Sequence, residues 1–338
     1  MDPVARRRRC LHDHLGLWLC EPNYLTRAVR AVNAGLTGDF ARYDPGEFAS
    51  ARWIGDLAIE RALLAGDDAA VRAEIPQESS AAKWKPYLVD HSGIAVLEFS
   101  GPMLKGDSKF ADKSTVTLRR ELREAARDAD ATGILLVMDS PGGSVAGTDE
   151  LARDVARAAE AKPLRVHGDD MLASAAYWAA SAAETITLGP TAEVGSIGVV
   201  GIIEDLSVAA EQAGVKVHVV STGPFKGAAV PGTVITPEHL DYFRERVDSL
   251  AEHFFAAVRR GRKMSAKALE AVTDGRVWSG KEAIALGLAD RVRSLDDALE
   301  DFRAAVGKRR STRRASVAVT ASLLAIEKSC LTRGSSIG

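Results

Sequence analysis

The stretch Gly133-Ile-Leu-Leu-Val-Met-Asp-Ser-Pro-Gly-Gly143 decides the fold. Its first part is a continuous apolar run of strand length, which is typical of a strand buried on both faces of a parallel sheet. The run ends at a Pro-Gly-Gly turn, where the backbone can turn tightly and direct bare N–H groups outward. The sequence therefore predicts a central parallel strand with a candidate functional loop at its carboxyl end.

Shorter apolar runs and amphipathic segments alternate along the chain on either side of this strand. The further predicted strands are 94–99, 164–167, 185–188, 197–203 and 215–220. The predicted helices are 114–129, 147–161, 237–260, 265–272 and 279–286. Repeated β–α alternation favours parallel strands joined by helical crossovers, so the predicted fold class is α/β.

Composition shifts divide the chain into three parts. Residues 1–88 carry helical patterns, at 24–34 and 54–64, and are predicted to be a helical N-terminal arm and linker. Residues 89–302 hold the β–α alternation and are predicted to form one domain. Residues 303–338 are rich in Ser, Arg and Ala and are expected to be a basic, flexible tail.

The bulk numbers exclude several classes of protein. The 338 residues include 44 Lys and Arg against 46 Asp and Glu, so net charge indicates no polyanionic partner, and nucleic acid is not expected. Three cysteines predict no disulfide framework and fit a reducing cytoplasm. Cysteine and histidine spacing suggests no metal site. No run reaches the roughly 18 apolar residues that a membrane helix requires, so no membrane anchor is expected.

Three loops carry residues suited to chemistry. The glycine pair Gly142 and Gly143 could donate N–H groups to an oxyanion, or could simply form a turn. Ser174 lies among alanines where a loop becomes a helix, and its plainer interpretation is a helix N-cap. Lys226 is the only charged residue between 221 and 236; it could be a base in an apolar pocket or a surface lysine.

A nucleophilic serine needs a base, and histidine is the usual one. His167, seven residues before Ser174 at a predicted strand end, is the best histidine candidate. The stretch 184–217, where a fold of this type could present a base opposite Ser174, contains no histidine. The residues alone therefore still allow a Ser-His-Asp triad, but they support it less well than a Ser/Lys pair.

Five segments in order carry a resemblance to a known family. They are Asp139-Ser-Pro-Gly-Gly143, Ala173-Ser-Ala-Ala-Tyr177, Val194-Gly-Ser-Ile-Gly-Val199, Gly223-Pro-Phe-Lys226 and Arg276-Val-Trp-Ser-Gly-Lys-Glu-Ala283. Over about 93–302 the sequence resembles the signal peptide peptidase A (protease IV) family, and more closely its tailed-phage head-maturation proteases of the protein C type. The resemblance implies a crotonase/ClpP-like fold of repeated β-β-α units.

The resemblance also assigns roles to residues. It places the nucleophile on Ser174, the general-base lysine on Lys226 and a serine that hydrogen-bonds the lysine on Ser196. The oxyanion donors fall on the backbone N–H of Gly142 or Gly143 and on that of Ala175. The mechanism it implies is acyl-enzyme peptide hydrolysis, which requires no metal or other cofactor.

Substrates and partners likewise come only from the resemblance. It implies a serine endopeptidase that processes phage scaffold, portal or capsid proteins in the prohead within the host cytoplasm, as a homo-oligomer. A cellular signal-peptide-peptidase-like protease is the runner-up. Two other classes remain open: a crotonase-type enzyme acting on acyl-coenzyme A, which would not need Ser174 or Lys226, and a non-catalytic capsid-assembly module.

Overall fold

The computed structural model describes residues 18–20, 85–108 and 110–309. The strands are β1 Trp18–Cys20, β2 Leu88–Val89, β3 Ile94–Ser100, β4 Gly133–Ser140, β5 Gly142–Ser144, β6 Leu164–Ala173, β7 Thr185–Leu188, β8 Glu193–Gly195, β9 Val277–Ser279 and β10 Arg291–Val292. The helices are α1 Thr115–Arg127, α2 Thr148–Ala161, α3 Ala175–Ala180, α4 Ser207–Gln212, α5 Pro237–Gly261, α6 Ala266–Glu270, α7 Gly280–Ala285 and α8 over 295–309. The helices predicted at 24–34 and 54–64 lie outside the described residues.

The main sheet has the order β10-β7-β6-β4-β3-β2, with β8 paired to β6 and β9 paired to β8. The pairs from β3 through β4, β6 and β7 to β10 are parallel, whereas β2 and β9 pair with their neighbours in the antiparallel sense. The predicted α/β class and the central position of the strand over 133–140 are confirmed.

Alternate side chains of β4 enter two separate apolar clusters. Ile134, Leu136 and Met138 belong to the larger cluster, which α1 and α2 share. Leu135 and Val137 belong to a second cluster with side chains of α8. Because successive strand residues face opposite sides, β4 is buried between two layers, which explains its unbroken apolar sequence.

The C-terminal boundary of the domain differs from the prediction. Residues 303–309 continue α8 rather than starting a flexible tail. Phe302 is 1% exposed and Val306 is 6% exposed, and both pack in the second cluster. Their removal from water holds the helix on the sheet, so the domain extends through at least residue 309.

Side-chain caps define the starts of three helices. The Ser114 hydroxyl accepts the Thr117 N–H and caps α1. Thr236 caps α5 by accepting the His239 N–H at 3.2 Å. Ser279 and Glu282 form a capping box at α7.

Two predicted strands are absent from the structure. Residues 197–203 and 215–220 form no strand, although both are apolar. Most of the segment 200–242 is exposed, and it holds eleven of the thirteen exposed large hydrophobic side chains of the described chain. A strand needs a hydrogen-bonding partner as well as apolar side chains, and no described strand lies beside these runs.

Candidate active site

Three strands of the sheet end close together and carry the predicted site residues. Leu172 of β6 pairs with Ser140 of β4 after a register shift, and Ala173 pairs with Gly195 of β8. The Asp139 carboxylate accepts the N–H of Met171 at 3.1 Å within this shift, and burial raises the pKa of that carboxyl. This edge is where open α/β sheets place their ligand sites.

Ser174 is held in a strained conformation at the start of α3. Its φ of 52° and ψ of −117° are unfavourable for any residue with a Cβ. Its N–H donates to Gly195 O at 2.7 Å, and its carbonyl accepts from the Trp178 N–H at 2.8 Å. The residue is 1% exposed, and its Oγ has no hydrogen-bond partner among the described residues. A strained backbone that presents a free hydroxyl is typical of a catalytic serine.

The helix that follows Ser174 is anchored on both sides. The Trp178 ring stacks on the Phe254 ring of α5 with centroids 5.0 Å apart. The Tyr177 hydroxyl donates to Leu288 O at 3.0 Å. Ala175, the first residue of α3, is fully buried, and an N–H at that position has no partner within the helix. The predicted donor therefore lies beside Ser174 on a rigid element.

Ser196 lies next to Ser174 at the end of the neighbouring strand. Since Ala173 pairs with Gly195 in parallel register, the two serines follow paired residues. Ser196 has a φ of 51° and is 5% exposed, and its N–H donates to Arg276 O at 2.7 Å. The structure therefore brings Ser174 and Ser196 together at the ends of adjacent strands.

Backbone hydrogen bonds distinguish the two candidate oxyanion glycines. The Gly142 N–H donates to Ser140 Oγ at 3.2 Å. Met103 binds the carbonyl of Gly142 and the N–H of Ser144, at 2.7 and 2.8 Å. Backbone groups alternate in direction along a strand, so the Gly143 N–H points away from Met103. A Cβ at Gly143 would come within 2.0 Å of Met103 O, so this position requires glycine.

The N-terminal strand β1 lies along this free edge. It pairs with β5 in the antiparallel sense, with Leu19 opposite Gly143. By the same alternation, the Gly143 N–H and C=O face Leu19. The chain's own residues 18–20 thus occupy the edge at which an extended peptide could add a strand, a feature that the motifs did not predict.

His167 is remote from Ser174. It pairs with Val137 of β4, which lies about 10 Å along the strand from Ser140. Ser174 follows Leu172, the residue that pairs with Ser140, so it lies farther along still. Its side chain shares the Val137 face, which packs against α8. It is fully buried with neither ring nitrogen hydrogen-bonded among the described residues, and burial lowers its pKa to about 4. The structure therefore does not place His167 as the base of Ser174.

Lys226 is not assembled with Ser174 in this structure. It is exposed, in a turn between α4 and α5, and Ser174 Oγ has no partner among the described residues. Of the predicted site, Ser174, Ser196, Gly142, Gly143 and Ala175 gather at one edge of the sheet. Lys226 is the predicted residue that stands apart.

The part of the chain that the structure describes holds neither a metal-binding cluster nor a membrane-spanning helix. No group of three or more His, Cys, Asp or Glu side chains there could hold a metal ion. None of the described helices combines the length and apolarity needed to cross a membrane.

Comparison with known proteins identifies the part of the chain that contains the two serines and Lys226. Residues 156–309 match the sequence model of peptidase family S49. The family that this segment resembles is peptidase family S49. The S49 match begins after the glycine loop, so Gly142 and Gly143 precede it.

Relatives of the chain include phage and bacterial proteases. Capsid assembly protease C of Escherichia phage lambda is 33% identical over 224 residues, 65% of this chain and 51% of that protein. Protease 4 of Salmonella typhi is 30% identical over 207 residues, 61% of this chain and 33% of that protein. The chain thus matches about half or less of the length of these two relatives. A solved ClpP1 from Listeria monocytogenes aligns with a TM-score of 0.36 at 16% identity, covering 60% of this chain and 94% of that one.

Proposed function

We propose that the chain is a serine endopeptidase with Ser174 as nucleophile. The observation that carries the proposal is the strained, unpartnered Ser174 at the carboxyl edge of the sheet, inside the segment that matches peptidase family S49. Ser174 Oγ attacks the peptide carbonyl carbon, and the oxyanion accepts hydrogen bonds from the N–H groups of Gly143 and Ala175. The resulting ester is hydrolysed by water, which releases the acid and regenerates the serine.

Lys226 is the proposed general base. It takes the Ser174 hydroxyl proton, delivers that proton to the leaving amine, and is oriented by Ser196. A lysine performs this role only in neutral form, which requires a site shielded from water. The segment carrying Lys226 must therefore dock before catalysis. Its many exposed apolar side chains support docking against another surface.

The proposed docking surface is a second copy of the chain, which makes the active enzyme a homo-oligomer. The exposed apolar side chains between Val200 and Tyr242 form a patch of the kind that marks protein interfaces. Proteolytic processing of phage scaffold, portal or capsid proteins is the proposed role, supported by the similarity to the lambda protein.

Substitution of the two proposed catalytic residues tests the mechanism. Ser174→Ala and Lys226→Ala should each lower cleavage of a denatured protein substrate by about a thousandfold or more. Lys216→Ala is the matched control, since Lys216 is another exposed lysine of the same segment. Full activity in Lys226→Ala would remove Lys226 from the mechanism while leaving Ser174 in place.

Mixing the two inactive variants tests the role of the second copy. If Lys226 of one chain serves Ser174 of another, a mixture of Ser174→Ala and Lys226→Ala chains regains activity. A mixture that stays inactive, while gel filtration shows mixed oligomers, would mean that each chain supplies its own base. Thermal-shift measurements with coenzyme A give a separate check, since stabilisation by that ligand would favour the acyl-coenzyme A alternative.

A further inference from the structure

The short strand β1 lies on β5 in one defined register. Each of its three residues lies opposite one residue of β5: Trp18 with Ser144, Leu19 with Gly143 and Cys20 with Gly142. The chain therefore holds an extended segment of its own against the strand that carries the proposed oxyanion donor.

The edge of β5 that β1 occupies is on the side of Ser174. The other edge is taken by Met103, which follows β3 and binds the Gly142 carbonyl and the Ser144 N–H. Because β4 lies between β3 and β6 in the sheet, the edge away from Met103 is on the β6 side. Ser174 directly follows β6, and the helix that it opens, α3, packs against β5. The strand β1 and the proposed nucleophile thus lie on the same side of β5.

The register presents one carbonyl of β1 to the proposed oxyanion donor. Gly143 directs its N–H and C=O toward Leu19, so the two residues form the kind of antiparallel pair that exchanges both backbone hydrogen bonds. The Gly143 N–H therefore donates to the Leu19 carbonyl oxygen. Backbone groups alternate in direction along a strand, so the carbonyls of Trp18 and Cys20 point away from β5. In the proposed mechanism, the carbonyl that accepts the Gly143 N–H is the one that Ser174 attacks.

We infer that the chain cleaves its own peptide bond between Leu19 and Cys20, an inference that rests on the proposed peptidase function. Ser174 Oγ bonds to the Leu19 carbonyl carbon, and the bond from that carbon to the Cys20 nitrogen breaks. The serine proton passes to this nitrogen, which becomes the new amino terminus of the chain. Water then hydrolyses the ester, which leaves Leu19 with a carboxylate and restores the Ser174 hydroxyl.

An edge strand held by its own chain is suited to this reaction. Extended peptides bind a sheet edge through backbone hydrogen bonds, and β1 makes these bonds within the chain. The bond to be cut is already positioned, so no encounter between molecules is required to place it. Chains that are not yet cut keep the edge filled. After cleavage, residues 1–19 can leave, which opens the edge to other polypeptides.

N-terminal sequencing and intact-mass spectrometry of the full-length chain test the cleavage. Purified wild-type chains should lose residues 1–19 with time, and the sequence of the product should begin Cys20-Glu-Pro-Asn23. Ser174→Ala chains should stay intact. Cleavage between Leu19 and Cys20 that continues in Ser174→Ala chains would overturn the inference, because another protease would then make the cut.

Two substitutions at Cys20 test the bond itself. The Cys20 N–H points away from β5, so Cys20→Pro removes no hydrogen bond of the β1–β5 ladder. Cys20→Pro should slow the cleavage by about a hundredfold or more, because a proline ring at the leaving nitrogen disturbs the geometry of attack. Cys20→Ala keeps a secondary amide and should still be cut. Equal cleavage of the two variants would overturn the assignment of this bond.

A mixture of chains and an added substrate distinguish the possible failures. Tagged Ser174→Ala chains should stay intact when mixed with wild-type chains, because each chain cuts its own strand. Their cleavage would overturn the assignment within one chain. Wild-type chains that cleave a denatured protein but retain residues 1–19 would overturn the self-cleavage and leave the peptidase standing. Wild-type chains that cleave neither would contradict the proposed peptidase itself.

Discussion

The N–H of Ser174 donates a 2.7 Å hydrogen bond to the carbonyl oxygen of Gly195. This bond joins the Ser174 loop to the strand end that carries Ser196, and Ser174 has a positive φ. Sheet pairing therefore positions both serines, because Ala173 and Gly195 are partners in adjacent parallel strands.

Relief of strain at Ser174 should stabilise the fold. Glycine tolerates the φ of 52° and ψ of −117° that serine and alanine do not. The variant Ser174→Gly should thus be more stable to urea than Ser174→Ala by about 1 kcal/mol, and both should be inactive. Comparing these two variants separates strain from loss of the hydroxyl. Equal stability of the two would show that the backbone at residue 174 is relaxed.

Acid should destabilise the protein through His167. Burial lowers the pKa of its imidazole to about 4, against about 6.5 in an unfolded chain. Below pH 6.5 the unfolded state therefore binds a proton, whereas the folded state binds it only near pH 4. The free energy of unfolding therefore decreases as the pH is lowered from about 6.5 to about 4. Between pH 6.5 and 5 this loss amounts to about 2 kcal/mol.

The variant His167→Leu isolates this effect. Its free energy of unfolding should change less between pH 7 and pH 5 than that of the wild type, as measured by urea denaturation. It should also retain cleavage activity, because His167 pairs with Val137, about 10 Å along the strand from the Ser140 end where the proposed site lies. Inactivity of a folded Leu variant would return the histidine to consideration as the base.

Release of the N-terminal strand should speed cleavage. The N–H and C=O of Gly143 face Leu19, so a substrate strand and β1 compete for the same edge. Leu19→Pro removes one ladder donor and should raise kcat/KM several-fold, mainly through a lower KM. Leu19→Val, which keeps the N–H, is the control. A rate unchanged by the proline would mean that β1 does not obstruct the substrate.

Much of the fold could be predicted because its strands are apolar runs bounded by turns. Most residues of Ile94–Ser100 and Gly133–Ser140 are buried, and both strands are accordingly rich in apolar residues. β6 extends beyond the predicted 164–167 because its backbone pairs with β8 and again with β4 from Met171 onward, and the sequence does not display this pairing. The strands predicted at 197–203 and 215–220 are wrong, because these runs are apolar but have no partner strand among the described residues.

The site was predictable where its residues follow strands. Ser174, Ser196 and the glycine pair all lie at strand ends, so adjacent strands bring them together. Lys226 lies between α4 and α5, outside every described strand, so strand pairing gives no basis for predicting its position.

The exposed apolar side chains between Val200 and Tyr242 have a consequence for the proposed activity. If these side chains must contact a second copy of the chain before Lys226 reaches Ser174, the chain is inactive at low concentration and active at high concentration. The cleavage rate per chain then increases with the local concentration of the chain. Newly synthesised chains therefore leave other polypeptides uncleaved until their own local concentration is high.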